Sequence, residues 1–210
     1  MTHTTIKGNT TNATGRRASA NRARARGPRA LLLPCCLLLC AGNANVQAVE
    51  LIIGKERIPP GIALVFEGAI KDEVTPAERH LAAEKTHVHL EVLANWAADE
   101  AAPPGAARGG FVPYLHVSAE VINEASGAST AADLVPHINL GDNLHYARNI
   151  SLPGGIAERY EVVFHVSPPG KFDLAYHKDW REKYDSDLFQ AVSFRFRNVD
   201  FEEIARATRD

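Results

Sequence analysis

The chain has 210 residues, with 23 basic and 25 acidic side chains, a formal net charge of −2 and 45% hydrophobic residues. Its three cysteines, Cys35, Cys36 and Cys40, and its single methionine, Met1, all precede residue 41. Everything downstream is free of sulfur, which excludes disulfides, thiolate metal sites, cysteine nucleophiles and thioether ligands there.

The first 48 residues read as an export signal rather than as part of a fold. Lys7, Arg16, Arg17, Arg22, Arg24, Arg26 and Arg29 precede an apolar run from Ala30 to Ala41, and small residues lead to Val46-Gln47-Ala48, an acceptable cleavage site. The run is too short to span a bilayer. Leu37-Leu38-Leu39-Cys40 departs from a lipoprotein box at Leu39, and Arg16-Arg17 lacks the flanking residues of a twin-arginine signal. Cleavage is expected after Ala48. Residues 49–210 then keep 16 basic against 25 acidic residues, a formal charge of −9. That balance disfavours nucleic acid as a partner and is compatible with cation capture. About 160 residues with no linker or internal repeat predict one domain.

In chain order, Gly61 to Ile70 is a short apolar run expected to be a strand. Thr75-Pro76-Ala77-Glu78 has the form of a capping box, which predicts a short helix to about Lys85 carrying a solvated His80. Thr86 to Trp96 alternates. Val88, Leu90, Val92, Ala94 and Trp96 form one apolar face, while His87, His89 and Glu91 line the other at intervals of roughly 7 Å. Two imidazoles and a carboxylate suit a divalent first-row ion, and the same row suits a solvated outer face.

Ala97 to Gly110 is rich in Ala, Pro and Gly and predicts a loop. Phe111 to Asn123 alternates as a further strand, with His116 outward among ordinary polar residues. Asp133 to Asn139 is expected to be a short strand confined by Pro136 to an edge or a bulge, which makes His137 a candidate ligand. His145 falls in a turn-like setting before the next strand. Ala157 to Val166 is another alternating strand, with His165 on its outer side, and Lys171 to Tyr184 is a polar and aromatic loop carrying His177. Ala191 to Val199 closes the series. Seven or eight short strands with little helix predict an antiparallel sandwich or barrel.

His89-Leu90-Glu91, then Val112-Pro113-Tyr114-Leu115, then the segment from Pro136 to Asn149 with its His145-Tyr146 pair, then His177, follow one another along most of residues 49–210. This order resembles that of the iron-transport-associated periplasmic proteins, a family encoded with bacterial high-affinity iron permeases. The resemblance implies an immunoglobulin-like antiparallel β-sandwich that forms a homodimer and binds metal without being an enzyme. It implies copper or iron as the ion, with zinc possible, and a partner in an inner-membrane iron permease. Carried over by position, it implies His89, Glu91, His145 and His177 as ligands. His137 stands where the family has a methionine, the stretch from Pro136 to His145 is one residue longer, and Ala147 replaces a glycine. Imidazole in place of a thioether hardens the site, away from Cu(I) and toward Cu(II), Zn(II) or Fe(II). Two other functions fit parts of the pattern. His87-x-His89 and His145-x3-Asn149 echo a cupin metalloenzyme, although Glu91 follows the pair too soon, and a metal-free interaction module needs only exposed histidines.

Overall fold

Alternating apolar and polar side chains organise the chain into eight antiparallel strands: β1 (Glu50–Ile58), β2 (Ile62–Ile70), β3 (Val88–Trp96), β4 (His116–Asn123), β5 (Ser129–Ile138), β6 (Leu144–Ile150), β7 (Arg159–Ser167) and β8 (Val192–Asp200). These come from a computed structural model that describes residues 50–184 and 187–208. The export-signal expectation for residues 1–48 lies outside the described residues. Two short helices, α1 (Lys178–Tyr184) and α2 (Glu202–Arg206), flank β8.

The strands run in the order β1-β2-β3-β6-β5-β4-β7-β8. β5 is the hinge of the arrangement. Its first part pairs with β4 as far as Leu134, and its last four residues, Val135 to Ile138, pair with β6. The two halves of the sheet fold face to face, so the fold is all-β and a nearly closed barrel or sandwich. Between them the Phe66 ring of β2 meets Phe164 of β7 at 4.6 Å and Phe194 and Phe196 of β8 at 5.2 and 5.4 Å. Leu64, Leu90, Val92, Val117, Val121, Tyr160 and Val162 fill the same core, all buried. β1 closes against β8 at Gly54, where any side chain would overlap the Phe196 ring.

Three expectations change. Thr75 to Lys85 holds two single 3-10 turns, Ala77–Arg79 and Ala83–Lys85, and no side-chain cap forms at either. The carbonyls of Arg79 and Leu81 are taken by side chains of β6 instead of by a helical ladder. Pro136 lies inside a ten-residue strand between two neighbours rather than in an edge strand. It is tolerated because β5 has parted from β4 by that point, so the missing N–H faces no strand on that side. His145 belongs to β6 itself, not to the turn before it.

Candidate metal centre

The outer face of β3 is covered. Val88, Leu90 and Val92 point into the core, and His89 and Glu91, on the opposite face, are 3% and 2% exposed. The segment from Lys71 to His87 lies over them, and its Asp72, Thr75 and His80 line a cavity of ≈ 780 Å³ with His89, Glu91 and Arg148. Strand register brings the remaining groups to the same face. β3 sets His89 beside Asn149 and Glu91 beside Ala147, and β6 sets Ala147 beside Val135 and His145 beside His137. With a period of two, His89, Glu91, Ala147, His145 and His137 share one side. Ala147 sits at the middle of that side, fully buried, and its methyl group leaves room for the imidazoles to lean together over it.

His89, His137 and His145 each present a ring nitrogen within 4.8 Å of the others. The His137 ring lies 5.3 Å from that of His89 and 6.1 Å from that of His145. Glu91 Oε1 stands 3.8 Å from His89 Nε2. Two of the three rings have their tautomer set. His89 Nδ1–H donates to Asn149 Oδ1 at 2.7 Å, and His145 Nδ1–H donates to the Asn143 carbonyl at 3.1 Å. In both, the neutral ring then carries its lone pair on Nε2. Asn143 offers that carbonyl from a left-handed backbone, φ 62°. Asn149 also donates from Nδ2 to the carbonyls of Asp72 (2.7 Å) and Leu81 (3.0 Å), and so ties the covering segment to the ligand face.

Burial holds the His137 imidazole down at a pKa of about 4, assisted by the neighbouring His89, His80 and His145 and by Arg148. It is therefore neutral and able to coordinate at ordinary pH. Its Nε2 is buried and has no hydrogen-bond partner among the described residues, a costly state for a polar atom unless a cation or water completes it. On the far side of β3, Glu67 of β2 is in register with Glu91. Burial, then Glu50 and Asp142, push Glu67 up to about 7 against the pull of Lys55. Oxygens of Glu50, Glu67 and Asp142 lie within 4.8 Å of one another.

Of the five ligands expected from sequence, the chain draws together His89, Glu91, His137 and His145. His177 lies elsewhere, beside Trp96, Val112, Tyr176 and Trp180 at the other end of β3. His87 is occupied structurally, its Nδ1 accepting the Leu152 amide at 2.9 Å. His116 is exposed near Asp173, and His165 pairs with the Ser193 hydroxyl. Two contributors to the cavity's surroundings fall outside the expected ligand set. His80 lines the cavity rather than standing in solvent, and Glu67 interrupts the apolar run of β2. A lone carboxylate in such a run is the one signal that pointed to it.

Residues 47–203 match the model of the family described as Fe2+ transport protein. UPF0423 proteins of Brucella abortus and Brucella melitensis are each 33% identical to the chain over 140 residues, which is 67% of this chain and 72% of theirs. Among solved structures, the copper-reconstituted P19 protein from Campylobacter jejuni is similar with a TM-score of 0.60 and 25% identity, over 71% of this chain and 94% of that one. A copper-bound variant of FetP from uropathogenic Escherichia coli strain F11 has a TM-score of 0.58 and 24% identity, over 72% of this chain and 99% of that one.

Proposed function

The chain belongs to the Fe2+ transport protein family, and from that premise we propose that it is an exported periplasmic protein that binds a divalent cation and passes it on during iron uptake. In this reading residues 1–48 are a cleaved signal, residues 49–210 are a single immunoglobulin-like domain, and the partner is an inner-membrane iron permease. The ion is held by His89, His137 and His145, with Glu91 as the anionic ligand.

The observation that carries the reading is the pair of committed ring N–H groups. A coordinating histidine characteristically donates its other nitrogen to a carbonyl or carboxylate, which fixes the ring and raises its basicity. His89 and His145 do this toward Asn149 and Asn143, with both rings buried and a ring nitrogen of each within 4.8 Å of one on His137. Three imidazoles and one carboxylate, with no sulfur, suit Cu(II), Fe(II) or Zn(II) better than Cu(I). Copper is the ion in the two similar solved structures named above. The centre offers coordination and transfer of the ion. His177 joins it in this reading only from the second copy of a homodimer, because within one chain it sits at the opposite end of β3.

Titration of the protein with Cu(II), Zn(II) and Fe(II), beside His89→Ala, His137→Met and His177→Ala, tests the assignment. His89→Ala is expected to weaken binding most, since His89 lies on a rigid strand backed by core. His137→Met is expected to move preference toward Cu(I) with the fold intact. Unchanged affinity for every ion in both of those variants would overturn the site.

A further inference from the structure

We propose that His80 is a further imidazole ligand of the same centre, delivered by the covering segment between β2 and β3. The inference rests on the metal-binding reading above and extends it to a residue in a part of the chain whose sequence pattern predicts only a solvated helix.

Three observations converge on His80. Its ring packs edge-on against His137, with centroids 5.0 Å apart, inside the cavity that also holds His89 and His145. Its Nδ1 is buried without a hydrogen-bond partner among the described residues, as is Nε2 of His137. Two neighbouring imidazoles, each with a desolvated nitrogen lacking a partner, form an unfavourable pair alone, and one cation between them satisfies both. The residues on either side of His80 are also pinned. The Arg79 carbonyl accepts from Arg148 Nη2 at 3.4 Å, and the Leu81 carbonyl accepts from Asn149 Nδ2 at 3.0 Å. His80 is thus hung between two anchors on β6, the strand that carries His145, and Asn149, one of those anchors, also orients His89.

The close group comprises His89, His137 and His145. His80 adjoins it through His137, so coordination needs a rotation of the His80 side chain on its anchored backbone. An imidazole carried outside the sheet can bind and release by rotating its side chain, without disturbing the ligands on the strands. That suits a protein that must hand its ion on.

The test uses Cu(II) as probe on the intact protein, His80→Ala, His80→Gln and, as a reference, His116→Ala at an exposed histidine. Competition titration is expected to show affinity falling about tenfold or more in both His80 variants and not in His116→Ala. The nitrogen hyperfine pattern in electron paramagnetic resonance is expected to lose one imidazole in both His80 variants. The unfolding midpoint of metal-free His80→Ala is expected to stay at the parent value or above it, because removing an unpartnered buried nitrogen relieves a cost. Parent-like affinity and spectra in both variants would overturn the role of His80 while leaving the centre standing. Failure of the parent itself to bind Cu(II), Zn(II) or Fe(II) would instead overturn the metal-binding reading and this inference with it. A weakened affinity with an unchanged nitrogen count, together with a lowered metal-free midpoint, would make His80 a packing residue and overturn its role as a ligand.

Discussion

Asn149 shapes the centre without being placed to bind the ion. Its amide accepts from His89 and from the Asp72 N–H, and donates to the carbonyls of Asp72 and Leu81. Asn149→Ala is expected to weaken metal binding by about 10-fold to 100-fold, because the His89 ring loses its orientation and tautomer. Asn149→Asp keeps an acceptor for His89 and removes both donors, so it should bind metal more tightly than Asn149→Ala while still loosening the covering segment. Competition titration with hydrogen exchange at residues 71–87 checks both.

The buried titrating groups give a second expectation, for the metal-free protein. His137 has a folded pKa of about 4 against an ordinary 6.5, so between those values the unfolded chain holds more protons and stability falls as pH drops. Glu67 has a folded pKa of about 7 against 4.5, so there the folded chain holds more protons and stability falls as pH rises. The two slopes oppose each other across their shared window of pH 4.5 to 6.5. Glu67→Gln removes one of them, so its unfolding midpoint should rise with pH in that window more steeply than the parent's. A parallel or shallower profile would contradict the assignment. At this scale the row of His87, His89 and Glu91 is legible in sequence because alternation alone exposes it, whereas its burial is not. His80 was not, because its neighbours imitate a helix start and its role depends on partners some 70 residues away, Arg148 and Asn149.

Among the elements, β3 was read almost to its ends, since a strand buried on one face writes its period directly into the chain. That its second face is also buried could not be read, because the cover comes from Lys71 to His87 and from the end of β5. β1 went unread: Gly54 breaks its pattern, and that glycine is required where β8 places Phe196 against it. β5 was read as short because its two ends serve different sheets, so neither half shows a full period. The turn from β1 to β2 depends on Gly61, which has φ 106° and lies against the Ala101 backbone. Gly61→Ala combines an unfavourable backbone region with a clash that no rotamer relieves. It should cost about 1–3 kcal/mol or more, read as a lower urea midpoint at an unchanged slope, with metal affinity per folded molecule preserved.

For the whole molecule, the all-β class followed from repeated short alternating segments, whereas the meeting of three strands at the metal centre needed the register. A homodimer, if formed, is expected to use the surface around the turn between β5 and β6. Ile138, Leu140 and Leu144 there are 72%, 107% and 40% exposed, beside the cavity. Leu140→Asp should shift light scattering from dimer to monomer. If His177 joins the centre from the second copy, the same variant should lower metal affinity as far as His177→Ala does, and combining the two should add little. No helix among the described residues is long and apolar enough to cross a membrane.

One ion is proposed to be bound by His89, His137, His145 and Glu91. Anomalous diffraction from crystals of the protein exported by its own host, collected on both sides of the copper, iron and zinc edges, tests it directly. A single strong peak per chain is expected in the cavity over Ala147, about 2.0 to 2.2 Å from the His89 and His145 Nε2 atoms, with the edge naming the metal. A cavity without anomalous density in protein that is otherwise metal-replete, or a peak only beside Trp96 and Trp180 at the opposite end of β3, would contradict it.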